Sequence, residues 1–203
     1  MANICCDDVY FYSESNPENL NALWEDLEKS IIFCQNEDLA WIGNLFQTKD
    51  ICTEGISLRG TVIYMERNDE SILLSTSAAW SPLYDAYCAI AGAYQVDFVM
   101  QAIEPGCNIY INTDYSGKYF PDRYAISIED ENFLTPAGFP VGTKLEYGEL
   151  FAADDVLLER FAEMGYPACS LKMLERLLED TGIEIHRFED SYSTEPLTKE
   201  DCA

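Results

Sequence analysis

Positive charge is scarce in this chain. Lys and Arg number 12 against 37 Asp and Glu, a formal net charge of −25 over 203 residues. Phosphate backbones are held by Lys and Arg, so direct binding to nucleic acid is disfavoured. Histidine is scarcer still: His186 is the only one. A Cys–His nucleophile pair would have to recruit it, for instance with Cys169, and nothing in the spacing brings the two together. There is no C-x-x-C and no H-x-x-x-H, so the short ligand spacings of a zinc site are missing. Asp114–Gly117 and Glu129–Glu131 lack the spacing of a dedicated calcium loop. A G-x-x-x-x-G-K phosphate loop is absent too. No metal and no cofactor is expected. No apolar run approaches the roughly 20 residues of a membrane span. No signal-peptide pattern opens the chain. These absences point to a cytoplasmic protein away from membranes. Internal repeats and low-complexity runs are also missing.

What is present is enough to bury a core. The chain is 48% hydrophobic and 13% aromatic, which excludes a disordered polyanion. The acidity is not confined to a tail. Residues 1–131 carry 6 basic and 22 acidic residues, a net of −16, and residues 132–203 carry 6 and 15, a net of −9. A globule acidic throughout projects a negative field suited to a basic partner. The high aromatic content argues against a halophile composition. Eight cysteines are scattered from Cys5 to Cys202, a distribution that reads as reduced, mostly packed thiols.

The chain is organised around Ile72–Gly92. Ile72, Leu73 and Leu74 suit a buried strand. Ser81 and Pro82 read as the cap and first position of a helix over 82–92, with Leu83, Cys88, Ile90 and Ala91 facing a sheet and Gly92 ending it. Trp80 stands at the corner, where its ring would plug one end of the core. Upstream, residues 3–12 alternate as a strand with Cys5, Asp7, Val9 and Phe11 on one face. Asn16-Pro17-Glu18 starts a helix marked by Leu20, Leu23, Trp24, Leu27, Ile31 and Cys34. A turn or two of helix is expected within 39–46. Residues 57–67 and 71–77 read as a hairpin around Asn68-Asp69-Glu70. Residues 96–103 and 109–113 read as strands joined across Glu104–Cys107.

The order through residue 103 is β-α-β-β-α-β. It predicts an α+β, ferredoxin-like antiparallel sheet with two helices on one face. Residues 109–113 and 123–128 would be extra edge strands. The predicted division is a domain over 1–130, a linker or long loop over 131–148, a helix–helix–strand extension over 149–188 and a loose tail over 189–203. In the extension Val156, Leu157, Phe161 and Met164 mark one helix. Leu171, Leu174, Leu177 and Leu178 mark another, capped by Ser170 and stopped by Gly182. Residues 183–188 close as a strand.

Four short landmarks carry a resemblance. Met1-Ala-Asn-Ile-Cys-Cys-Asp-Asp-Val-Tyr-Phe11 resembles the opening of the YubB-like proteins, a family carried by phages and conjugative plasmids. Trp41-Ile-Gly-Asn-Leu-Phe-Gln-Thr-Lys49, Ser75-Thr-Ser-Ala-Ala-Trp-Ser-Pro82 and Glu104-Pro-Gly106 are similar to its later Trp-Gly-Thr-Lys, Thr-x-Trp-Ser-Pro and Glu-x-Gly landmarks. Ile4 stands where the family has Trp, Asp7 where a neutral amide is common, and Phe46-Gln47 where it has Trp-Gly. The resemblance covers about residues 1–115. It implies a ferredoxin-like domain with a C-terminal extension, and it implies no catalytic residues.

Among single residues, Asp7 stands out because it falls on an inward face. A carboxylate there has a raised pKa unless hydrogen-bonded, and capping of a neighbouring loop is a stronger expectation than acid–base catalysis. Tyr110, Tyr115, Tyr119, Phe120 and Tyr124 would make a stacking platform, but only Lys118 and Arg123 lie near, so sheet packing is the stronger expectation. Asp155, Glu159 and Glu163, four apart, form an acidic stripe that Asp154 extends at the helix start. These four are the candidate partner-binding residues, set against a merely solvated face. The expected function is that of a non-enzymatic, mobile-element interaction protein. It would bind and inhibit a basic nucleic-acid-binding host protein, such as a defence nuclease, in the DNA-mimic or anti-CRISPR manner. Two alternatives stay open: a small-molecule or nucleotide-handling enzyme using the sheet face, and an accessory protein whose acidity only confers solubility.

Overall fold

The computed structural model describes residues 3–33 and 37–192; Cys34, Cys202 and the tail beyond Tyr192 lie outside them. The fold is mixed α+β. Its described elements are β1 (Ile4–Tyr12), α1 (Pro17–Ser30), α2 (Gly43–Lys49), β2 (Gly60–Arg67), β3 (Ser71–Ala79), α3 (Tyr84–Tyr94), β4 (Asp97–Glu104), β5 (Ile109–Asn112), β6 (Tyr124–Ile128), β7 (Leu150–Phe151), α4 (Asp154–Glu163), α5 (Leu171–Leu178) and β8 (Ile183–Arg187). They form two compact units, the first made of residues up to Tyr115 and again from Asp190, the second of Ser116–Glu189. No helix among the described residues is long and apolar enough to cross a membrane.

The first unit holds an antiparallel five-stranded sheet in the order β2-β3-β1-β4-β5. Alternation along β1 decides what each face is. Cys5, Asp7, Val9 and Phe11 are at most 1% exposed, while Cys6 and Asp8 between them are exposed. The inward residues of β1 and β3 join Leu20, Leu23 and Leu27 of α1 and Ala86, Tyr87 and Ile90 of α3 in one core. Each fully buried aliphatic side chain there contributes about 1.5–3 kcal/mol. Tyr87 meets Phe11 edge-on, ring centroids 6.2 Å apart, a preferred aromatic geometry.

Turn chemistry follows the sequence closely. At the β2–β3 hairpin Asn68 Oδ1 accepts from the Glu70 and Ser71 amides at 2.9 and 2.7 Å. After β4, Glu104 accepts from the Gly106 and Cys107 amides at 3.0 and 2.5 Å. A Cβ on Gly106 would lie 2.6 Å from Asn3 Nδ2, so any other residue there would displace the Asn3 side chain.

The structure corrects the central corner. α3 begins at Tyr84, with Leu83 rather than Ser81 at the N-cap position. It runs through Gly92 and stops at Gln95, which takes the left-handed conformation at φ 55°. The later start turns Tyr87 inward and leaves Cys88 exposed. Trp80 does not plug the core: it is 48% exposed and left-handed at φ 74°, uncommon for a bulky side chain. Its amide donates to Asn3 O at 3.0 Å, closing the corner.

The expected boundaries move as well. Residues 124–128 do not extend the first sheet. β6 is the centre of a second antiparallel sheet, β7-β6-β8, with Tyr124 opposite Phe151 and Ile126 opposite Ile185. Of the two expectations for 131–148, the segment is a long loop with one short helical turn at Val141–Thr143 rather than a linker. Val141 and Leu145 are buried in the second unit's own core with Leu157, Phe161 and Leu174. Ser170 caps α5 as expected, accepting from the Met173 amide at 3.3 Å. Gly182 is not the stop, since α5 ends at Leu178 with Glu179 as C-cap. Val156 and Leu177 are exposed rather than inward. At the other end of that unit the chain is not loose at once, because Tyr192 packs against the first unit's core.

Candidate functional site

Asp7 is the most enclosed carboxylate of β1, and the fold uses it. Its Oδ2 accepts from the Leu83 amide at 2.8 Å and from the Tyr87 hydroxyl at 3.1 Å, and Tyr87 is 2.8 Å from Thr76 Oγ1. The carboxylate thus holds the start of α3, where an orphan amide needs an acceptor. Its Oδ1 is buried with no hydrogen-bond partner. Burial raises the Asp7 pKa to about 6, against the pull of these donors. Burial first, then the Asp7 charge, pushes the neighbouring Cys5 thiol far up, so it stays protonated. The Tyr192 ring stacks in parallel on Tyr84 at 3.6 Å. Burial, with Asp7 next, pushes its hydroxyl up to about 12. A carboxylate occupied in this way is a helix cap enclosed in the core.

The second unit contains a pair that sequence reasoning missed. Ser127 Oγ lies 2.8 Å from His186 Nε2 across β6 and β8, and Glu184 Oε2 lies 3.7 Å from the same nitrogen. Burial lowers the His186 pKa. In a nucleophilic triad the carboxylate orients the base through the opposite ring nitrogen; here serine and carboxylate converge on one nitrogen. The arrangement is a cross-strand hydrogen bond, and the serine gave no local signal of it. Cys169, exposed before α5, contacts Met173 at 3.9 Å rather than His186. No group of three or more potential metal ligands occurs among the described residues. Of the five aromatic positions, Tyr110 and Tyr115 belong to the first unit and Tyr119, Phe120 and Tyr124 to the second, and Tyr110, Phe120 and Tyr124 are buried.

The candidate stripe does lie on one helix, α4, but its members differ. Asp154 Oδ1 accepts from the Tyr124 hydroxyl at 2.5 Å, and Glu163 pairs with Lys144 at 3.8 Å. Asp155 accepts from the Val156 amide at 2.9 Å, and Asp155 and Glu159 are exposed. Arg160 on the same helix meets Glu149 at 3.3 Å.

Charge is unequal between the units. Residues 1–115 carry 4 basic against 18 acidic residues, a net of −14, and residues 116–189 carry 7 against 15, a net of −8. Three of the four cations of residues 1–115 are engaged internally. Lys29 meets Asp26 at 3.3 Å and Glu25 at 3.7 Å, Lys49 lies over the Tyr94 ring at 4.6 Å, and Arg67 donates to the Asn68 and Ser71 carbonyls. Glu18, Glu25 and Glu28 stand on the exposed side of α1. Compared with known proteins, the chain matches no family model, no curated sequence and no solved structure.

Proposed function

We propose that the chain is a non-enzymatic, cytoplasmic interaction protein that binds a basic nucleic-acid-binding protein and occupies its nucleic-acid groove. The observation that carries this reading is the unneutralised field of residues 1–115: a net of −14, with three of their four cations already engaged by groups of the same segment. Carboxylates left in excess over a folded surface attract a cationic partner and speed its encounter. The one carboxylate that had enzymatic interest, Asp7, is held by an amide of the fold, which favours binding over catalysis.

The order β2-β3-β1-β4 supports a ferredoxin-like reading of the first unit, with β5 added at the edge beside β4. That reading agrees with the resemblance of residues 1–115 to proteins of phages and conjugative plasmids. In such a setting the fitting partner is a host defence nuclease, blocked by an acidic surface standing in for DNA.

Retention of lysate proteins on the tagged chain, at low and at high salt, tests the proposal. Basic nucleic-acid-binding proteins are expected to be held at low salt and released at high salt, because exposed charges are screened beyond about 8–10 Å near physiological ionic strength. Duplex DNA should compete with the chain for the retained protein. Absence of any basic protein at low salt, or simultaneous binding of DNA and the chain, sinks the proposal.

A further inference from the structure

The helices of the first unit pack on the inward face of the five-stranded sheet, and the composition of the outward face is specific. Outward positions alternate with the core positions along β1 and β3, while on β4 and β5 the outward Gln101 and Asn112 are themselves buried, so the exposed part of this face lies mainly on β1, β2 and β3. β1 contributes Asp8, Tyr10 and Tyr12 there. The registers Tyr64↔Ser75 and Glu66↔Leu73 bring Tyr64 and Glu66 of β2 to the same side, and Tyr12↔Asp97 brings Asp97 of β4. None of the outward positions of these strands is Lys or Arg. Tyr64 is 48% exposed, and Asp8, Glu66 and Asp97 are exposed.

The carboxylates of this face are oriented. The Tyr64 hydroxyl donates to Glu66 Oε2 at 2.8 Å, and Ser75 Oγ donates to Asp8 Oδ1. Each carboxylate has a second oxygen and remaining lone pairs for an incoming donor. Flat tyrosine rings beside oriented carboxylates match one side-chain chemistry well. A guanidinium stacks its plane on an aromatic ring and bonds a carboxylate through paired N–H groups. An ammonium supplies the charge without the plane. Nucleic acid would stack on the rings but meet only negative charge.

The edge of the sheet directs the approach. β2 is the edge strand, and its register shifts between Val62 and Tyr64, leaving Ile63 57% exposed at the bulge. Bulges of this kind block strand addition at an edge. At β2 a partner therefore meets the face rather than extending the sheet.

We infer that the open face of the five-stranded sheet, centred on Asp8, Tyr64 and Glu66, is the docking surface for an arginine-rich segment of a basic protein. The inference rests on the proposed function and specifies the chemistry of its partner. It is tested with the full chain and two fluorescent peptides of equal length and charge, one alternating Arg with Ser and one alternating Lys with Ser, by anisotropy at low salt. The wild type is expected to bind the Arg peptide about tenfold more tightly than the Lys peptide. The double variant Tyr64→Ala/Glu66→Gln, and independently Asp8→Asn, should reduce Arg-peptide affinity several-fold and narrow that preference while keeping the wild-type melting temperature. Equal affinity for the two peptides overturns the inference and leaves the proposed function standing on net charge alone. A preference untouched by both variants places the docking surface elsewhere and overturns it likewise. Failure of both peptides to bind the wild type removes the proposed function together with the inference. Preferential binding of a polyuridylate oligonucleotide overturns both in favour of nucleic acid.

Discussion

Asp7 and Asp8 are neighbours of identical chemistry on β1, and the two faces of the sheet give them opposite work. Asp7 is 1% exposed and holds the start of α3 through the Leu83 amide. Asp8 looks outward, joined to Ser75. Cys5 and Cys6 repeat the division, one buried and one exposed. The covered face spends its polar groups on the fold. The open face keeps them oriented and accessible. Acidity in this protein is therefore two properties: a few carboxylates stabilise, and the remainder project charge.

Four measurements break or sharpen that division, in order of decreasing effect. Iodoacetamide should alkylate Cys6 in the native state, while Cys5 reacts only through unfolding, more slowly by on the order of a thousandfold. Peptide mapping after timed labelling reads the ratio, and comparable rates would mean that β1 opens locally.

The second concerns pH. The Asp7 pKa is raised to about 6 in the fold, against about 3.9 in the unfolded chain. The folded state thus binds the extra proton between those values. The associated stability is fully present below about pH 4 and is lost as pH rises through 6, a difference of roughly 2–3 kcal/mol. Urea unfolding of the wild type relative to Asp7→Asn, at pH 4.5 and 7.5, should show the wild type gaining at the lower pH. A gain at the higher pH would reverse the sign and refute the burial argument.

Third, Asp7→Ala should lower stability by about 2 kcal/mol at pH 7, since it orphans a buried amide at a helix start. Asp8→Ala, read by the same urea midpoints, should stay within about 0.5 kcal/mol. The smallest effect belongs to α4. Reversing Asp155, Glu159 and Glu163 to Lys removes like-charge neighbours worth a few tenths of a kcal/mol per pair. It breaks the exposed pair with Lys144 and the exposed hydrogen bond from the Val156 amide to Asp155. The melting temperature should be unchanged or slightly higher, and affinity for a cationic partner at low salt should fall a few-fold through the lost field.

The legible parts of this fold were those whose cause is local. One-sided burial makes β1 alternate, so the inward run from Cys5 to Phe11 and the unusual place of Asp7 could be read directly. Asn68 and Glu104 bond their own turns, and such turns announce themselves. The illegible parts have distant causes. Ser81-Pro82 satisfies every local rule for a helix start, yet the cap comes from Asp7, 76 residues earlier in the chain. β6 was expected as a strand but at the edge of the first sheet, whereas it is the centre of the second, buried at Tyr124, Ala125 and Ile126 in succession. Its partner β8 is too far along the chain to leave a mark nearby. Ser127 was invisible for the same reason. Of the candidate site, the four α4 carboxylates were placed correctly on one helix. Their internal partners Tyr124 and Lys144 depended on tertiary folding and were not foreseeable.

The parallel stack of Tyr192 on Tyr84 also orders events in time. The chain departs the first unit after Tyr115 and returns at Asp190, so the second unit is an insertion within the first. During synthesis every strand and helix of the first unit has emerged well before Tyr192. For that interval Tyr84 lacks its stacking partner, and the end of the core nearest Asp7 is open to water. The first unit is thus sealed last by a residue from beyond the insertion, a contact of long sequence separation that is slow to close. Refolding followed by a fluorophore at position 192 should accordingly lag behind formation of the sheet, and a nascent chain halted before residue 190 should present Tyr84 to solvent.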